Sequence, residues 1–262
     1  MNKILTLVLV LAIVLSSVSA IAASNYSDTV ISIIQTMYDN DSLCEGAPQE
    51  TANGSYRAVE MLALIATRLD KAGTYSSLIS GSLDSLQKNN QGLSGAPQQT
   101  ANGLYRSDEL LAIIAMENDT LGLYNDVVLQ IIQSMEDNNA VAESAVHQEV
   151  NGAYRMVELL GVIAYEYNVD STKIQSVLDA WEKNNNAASG APQQLANGLY
   201  RAAELTYLIA NKSDKLGLWS EYLSDSIDSM YTINDSLSGA PQQSANGMYR
   251  IVELLGGWAQ TL

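Results

Sequence analysis

The side chains that could do chemistry come in fivefold sets. Five of the chain's six arginines, Arg57, Arg106, Arg155, Arg201 and Arg250, each follow a tyrosine: Tyr56, Tyr105, Tyr154, Tyr200 and Tyr249. Each also precedes by three residues a glutamate: Glu60, Glu109, Glu158, Glu204 and Glu253. On a helix that spacing puts the two charges on one face, where they can pair. Two readings stay open. In one, Arg–Glu pairs lock neighbouring repeats together, as residues identical in every copy do in repeat proteins. In the other, the ten Tyr and Arg side chains line a central funnel and bind a polar ligand. The tyrosines divide the same way, between a core position with its hydroxyl bonded at the rim and a platform on which a sugar stacks. Gln49, Gln98-Gln99, Gln193-Gln194 and Gln242-Gln243 offer amides that either bind glycans or satisfy loop backbone.

Other chemistry is scarce. His147 is the only imidazole and Cys44 the only thiol, so neither a zinc site nor a nucleophile–histidine dyad can be assembled, and no metal or cofactor is expected. Two departures from the repeat are the candidates for catalysis. His147 stands where other copies have a rim Gln, with Val146 in place of Pro, and is the one available imidazole base. Asp108 stands where other copies have Val59, Val157, Ala203 and Val252. It reads either as a solvated extra charge or as an acid pair with Glu109. Adjacent helical side chains diverge by about 100°, so such a pair does not face itself across a cleft. Cys44 reads as a small buried hydrophobe.

The elements that must position these groups follow from one repeat. Gly46-Ala-Pro-Gln-Glu-Thr-Ala-Asn53-Gly-Ser-Tyr56-Arg57-Ala-Val-Glu60 returns as 95–109, 144–158, 190–204 and 239–253. Such periodicity means a repeat architecture. The segment before each motif carries one apolar stripe, such as Val30, Ile33/Ile34, Met37, or Ile174, Val177/Leu178, Trp181, and so predicts a helix with one wet face. It ends in paired Asn/Asp residues, from Asn40-Asp41 to Asn234-Asp235, which tolerate the left-handed conformation that closes helices. A second helix is expected to start near the motif Asn as N-cap, which puts the Arg in its first turn. It continues through runs such as Leu110-Leu111-Ala112-Ile113-Ile114-Ala115, apolar nearly all round and therefore buried.

One wet and one buried helix per copy predict an all-α, two-layer domain over 25–262, with repeats near 25–70, 71–118, 119–168, 169–213 and 214–262. The first and last copies carry no polar caps, as a solenoid's ends would need. The expectation is therefore a closed ring of five helical hairpins, ten helices, an α/α toroid; an open solenoid arc is the alternative.

The pattern Leu83-Asp-Ser-Leu86-Gln87-Lys-Asn89-Asn90-Gln-Gly92-Leu93-Ser-Gly95-Ala-Pro97, followed by Tyr105 and Leu110-Leu111-Ala112, resembles the repeat of the prenyltransferase and squalene-cyclase superfamily. That resemblance implies an α/α toroid, in agreement with the two layers. It does not bring the family's chemistry. The zinc ligands of the prenyltransferases have no counterpart, no Asp-x-Asp-Asp acid motif occurs, and Phe is absent. Thioester domains share the toroid, but Cys44-Glu45-Gly46-Ala47-Pro48-Gln49 puts Gln at the wrong spacing for Cys-Gly-Glu-Gln.

Residues 1–23 read as a secretory signal peptide: a positive start at Lys3, an apolar run over Ile4–Leu15, then small residues ending in Ala20-Ile21-Ala22. An uncleaved N-terminal anchor is the alternative, and no later stretch is long enough to span a membrane. Net charge is −16, which disfavours nucleic acid and anionic membranes as partners. Six Asn-x-Ser/Thr sequons, at Asn25, Asn40, Asn53, Asn118, Asn211 and Asn234, are glycosylation candidates. The expectation is a secreted or cell-surface module binding a glycan, small molecule or protein through its polar rim. A carbohydrate-active or cyclase-like enzyme on the same ring is the competing class.

Overall fold

The structure, a computed structural model, describes residues 26–262. The expected leader over 1–23 and the sequon at Asn25 lie outside the described residues. Ten helices occur among the described residues, in five hairpins. The outer helices are α1 (Tyr26–Asp41), α3 (Ser76–Gly92), α5 (Asn125–Val141), α7 (Ser171–Ala187) and α9 (Ser220–Asn234). The inner helices are α2 (Ala47–Leu69), α4 (Ala96–Asn118), α6 (Ala145–Glu166), α8 (Ala191–Ser213) and α10 (Ala240–Thr261).

The inner helices start earlier than the motif Asn predicts. In four copies Gly is the N-cap and Pro sits in the first turn, where its missing N–H and fixed φ cost nothing. The helix therefore opens at Ala47, not beyond Asn53, and Arg57 lies in its third turn, away from the helix dipole's positive end. The paired Asn residues do not close the outer helices in a left-handed conformation either. Asn168, at φ 53°, is the one non-glycine residue with positive φ among the described residues.

Each inner helix packs on the next in the same register, which makes all five parallel. A Cβ placed on Gly103 would lie 2.5 Å from Ser55 Oγ, on Gly152 2.7 Å from Leu104 Cβ, on Gly198 2.9 Å from Ala153 Cβ, and on Gly247 3.2 Å from Leu199 Cβ. The motif glycine of every copy thus receives the residue after the glycine of the preceding copy, and only a missing side chain allows that approach. Gly54 completes the series against Met248 Cγ, at 2.5 Å. The contact that closes the ring is the same contact that builds it. Further closing contacts run from Tyr38 to Glu253, from Tyr249 to Asp41 (2.7 Å) and from Gln260 to the Ser27 carbonyl (3.4 Å). The ring is closed, and the open arc is ruled out.

No funnel runs down the axis. Ser55, Leu104, Ala153, Leu199 and Met248 are fully buried, as are Leu62, Leu111, Leu160, Thr206 and Leu255 two turns on. Tyr167, at the end of α6, meets Trp258 of α10 edge to face at 5.7 Å, although these helices are not ring neighbours. Their rings meet across the axis and close it.

The ring has two faces. The motif face carries the Gly-Ala-Pro-Gln loops and the inner-helix N-termini. The turn face carries the connections from inner to outer helices, three of them an Asp-x-x-Gly-x-aromatic turn. Asp70 accepts the N–H groups of Thr74 and Tyr75, Asp119 those of Leu123, Tyr124 and Asn125, and Asp214 those of Leu218 and Trp219. Gly73, Gly122 and Gly217 sit at φ near +70°, where other residues are strained. The α6–α7 turn is two residues shorter and α6 one residue shorter, which accounts for the single 46-residue spacing in a 49-residue repeat.

Candidate functional site

All five motif arginines bind the glutamate of their own copy, Nη1 to carboxylate at 2.6–2.7 Å. The pairs face the seam between inner and outer layers, not the axis. Ser82 and Ser226 of the outer helices donate to Glu109 and Glu253 at 2.8 Å, and the hydroxyls of Tyr38 and Tyr231, each on the next outer helix, donate to Glu253 and Glu204. Burial drives the Glu60 carboxyl above the usual range, and Arg57 pulls it back. Nε of every motif Arg is buried without a hydrogen-bond partner. These guanidiniums bind one carboxylate each and are closed to a second ligand on that side.

The motif tyrosines reach forward to the next copy. Tyr249 donates to Asp41 and accepts from Asn53 (3.1 Å), and Tyr200 accepts from Asn246 (3.0 Å). Tyr105 donates to Glu136 at 3.4 Å. Tyr56, Tyr200 and Tyr249 are buried, while Tyr105 and Tyr154 are half-buried. Tyr154 differs in its neighbour, meeting Trp181 of α7 edge to face at 4.8 Å.

Sequence reasoning gave the motif Asn the wrong role. Asn53, Asn102, Asn151, Asn197 and Asn246 donate Nδ2 to the carbonyls of Met37, Leu86, Met135, Trp181 and Met230 at 2.9–3.1 Å. Each staples its inner helix to the C-terminal turn of its own outer helix. The paired Asn residues join this ladder: Asn90, Asn139 and Asn185 accept from the motif amide at 2.9–3.0 Å. Asn53 and Asn40 are therefore bonded structural amides, poorly placed as glycan acceptors. The signal was available, since an Asn twelve or thirteen residues before the motif Asn recurs in every copy.

The rim glutamines close helix starts. Gln49, Gln98 and Gln193 accept from the backbone N–H of Glu45, Ser94 and Ser189 at 2.6–3.2 Å. His147 occupies the same position and its Nδ1 meets Ser144 Oγ at 2.8 Å. It is exposed on the motif face. Cys44 is half-buried, and burial together with Asp41 and Glu50 pushes its thiol up to about 11, which makes it a poor nucleophile.

Asp108 is not solvated. It is fully buried between α4 and α6, both carboxylate oxygens lack hydrogen-bond partners, and burial holds its carboxyl well above the usual range. Arg155 opposes that rise, while Glu158 and Glu109 add to it. Its counterparts are all buried apolar residues, so the position, not the residue type, decides its fate. Glu149 is a second buried acid, at a position held by Thr51, Thr100, Leu195 and Ser244; burial lifts it to about 8, with Thr100 opposing.

One symmetry break, His147, lines a concavity. On the motif face, an open groove of about 530 Å³ is lined by Asn138, His147, Val150, Asn151, Tyr154 and Arg155, among others. It brings together His147, Tyr154 and Arg155. Asp108 does not line it. Among the described residues no group of three His, Cys, Asp or Glu side chains is placed to hold a metal ion. No protein-family model matches the chain, and no curated protein and no solved structure is significantly similar to it.

Proposed function

We propose that the ring is a secreted or cell-surface binding module, and that its ligand seat is the groove lined by His147, Tyr154 and Arg155 on the motif face. The observation that carries this reading is the Tyr154–Trp181 pair. In other copies the motif Tyr hydroxyl is tied to the next copy's polar groups; here the ring is braced by an aromatic neighbour beside an open groove. A braced aromatic ring beside Arg155, His147 and the Asn138 amide suits a ligand with one apolar face and a polar edge, as a pyranose has. The groove is shallow and open, which fits the end or flank of a glycan chain better than an enclosed small molecule.

The competing enzyme reading finds less support. A glycosidase working through a carboxylate pair needs two acids facing one another across a solvent-filled cleft. Asp108 is sealed from solvent, and the five motif glutamates are each engaged by an arginine in the seam.

Glycan-array screening of the intact protein, followed by calorimetry, tests the proposal. Tyr154→Ala and His147→Ala should each weaken the bound glycan about tenfold, equivalent to about 1.4 kcal/mol. Tyr105→Ala, the equivalent change in the neighbouring copy, should leave binding unchanged. Equal losses for Tyr105→Ala and Tyr154→Ala, or no glycan bound above background, would overturn the assignment.

A further inference from the structure

On the turn face one hairpin lacks a ring that the other four have. Four residues before the first buried apolar side chain of an outer helix stands an aromatic: Tyr26 before Val30, Tyr75 before Ile79, Tyr124 before Val128 and Trp219 before Leu223. All four rings are half-buried and pack against the core. In the fourth hairpin the same position, before Ile174, is Asp170. The turn leading into α7 is the short one, and the aromatic it does carry, Tyr167, meets Trp258 at the axis instead.

The first hairpin shows how the ring is held. Arg68, eight residues after Glu60, lies over the Tyr26 ring at 5.2 Å, within cation–π reach. Its counterpart eight residues after Glu204 is Lys212. There, in place of a ring, an open slot of about 260 Å³ is lined by Val169, Asp170, Lys173, Leu208, Asn211 and Lys212. Val169 is buried and Leu208 half-buried, which gives the slot an apolar wall. Asp170 does not fill it. Its Oδ1 accepts from the Thr172 N–H and hydroxyl at 2.9 and 2.7 Å, as the N-cap of α7. The Thr172 groups, and then Lys173, hold that carboxyl below its usual range. The two lysines outweigh this one negative charge, and neither enters an ion pair among the described residues. A concavity with a positive lining stands out in a chain of net charge −16.

We propose that this slot binds a small aromatic carboxylate, its ring against Val169 and Leu208 and its carboxylate held by Lys173 and Lys212. The ring takes the place that Tyr26 takes in the first hairpin, beneath the equivalent cation. Lysine stems can cover a ring edge while their ammonium groups reach a carboxylate. A neutral aromatic would leave the lysines unused, and a ringless acid would leave the slot part-filled and its apolar wall wet. The slot lies on the face opposite the His147 groove, and the assignment stands whether or not that groove binds a glycan.

Calorimetry and saturation-transfer NMR of the intact protein with phenylacetate test the assignment. Saturation should pass to the ring protons, and phenylacetate should bind about tenfold tighter than phenylacetamide or butyrate. Lys173→Gln/Lys212→Gln should reduce phenylacetate to the affinity of phenylacetamide. It should leave the melting temperature unchanged, because both side chains are exposed and unpaired. Asp170→Tyr restores the residue type of the other copies, and should fill the slot, raise the melting temperature and abolish binding. If Asp170→Tyr does not fold, the lysine variant still decides. The lysine variant should also bind the groove's glycan like wild type, which separates the two sites. No phenylacetate bound by wild type, equal affinity for the acid and its amide, or undiminished binding in either variant would overturn the proposal.

Discussion

Asp108 shows how far one residue's chemistry depends on where the repeat puts it. A carboxylate in sequence reads as solvated, yet Val59, Val157, Ala203 and Val252 at the same position are all buried, and Asp108 shares their fate. Its burial was legible by comparing copies and illegible from residue type. The Arg–Glu pairs were legible directly, because an i,i+3 spacing on a helix leaves little choice of partner. A buried carboxyl without hydrogen bonds costs stability whenever it is ionised. Its folded pKa is raised above the unfolded value of about 3.9, so the folded state holds the proton more tightly. Stability is therefore greatest below that unfolded value and is lost as pH rises toward the folded one. Asp108→Val should stabilise the protein at pH 7 by about 1–3 kcal/mol. Urea unfolding at several pH values checks this: the advantage of Asp108→Val should shrink as the pH falls toward 4. An advantage that stays constant from pH 4 to 8 would mean that Asp108 is ionised in the fold and compensated by Arg155.

At the scale of the helix, hydrophobic periodicity gave both layers correctly, because an all-round apolar run and a one-sided stripe have different burial needs. It misplaced the inner helix start because an Asn before an apolar run looks like an N-cap, while Gly-Ala-Pro six residues earlier looks like a loop. Proline in the first helical turn is the stronger signal once weighed. The motif Asn was then free to staple one helix to another. The motif glycine was equally silent in sequence, since nothing in one copy tells that the next helix will lie against it. Gly103→Ala should destabilise by about 1–3 kcal/mol, because its Cβ would meet Ser55 Oγ at 2.5 Å and Ser55 Cβ at 2.9 Å. Gly81→Ala, on the exposed face of α3 with nothing within 4 Å of its Cβ, should stabilise by about 0.5–1 kcal/mol. Denaturant midpoints of the two variants test the packing: equal shifts would show that helix propensity, not interhelical approach, sets the cost at Gly103.

For the whole molecule the decisive property is closure. In an open solenoid each repeat touches only its neighbours along the chain, and removing an end repeat costs one interface. Here α10 packs against both α8 and α2, with α1 beside it, so the fifth hairpin seals two interfaces at once. Met248 fills the gap left by Gly54, Leu199 the gap left by Gly247, and Trp258 meets Tyr167 across the axis. Deleting residues 214–262 should therefore strip two apolar flanks and the axis plug together. The remaining four hairpins cannot close, because each inner helix is set to turn the chain by a fifth of a circle. The truncated chain should lose cooperative unfolding and bind a hydrophobic dye. A circular permutant separates closure from mere length. Tyr26 and Leu262 both neighbour Arg68, so a short linker can join them. New termini between Leu93 and Ser94, in the exposed connection from α3 to α4, keep every helix and every interface. The permutant should melt within a few degrees of wild type, because the ring has no privileged first hairpin. If the truncated chain unfolded as cooperatively as the full ring, the fifth hairpin would contribute no more than a solenoid end does.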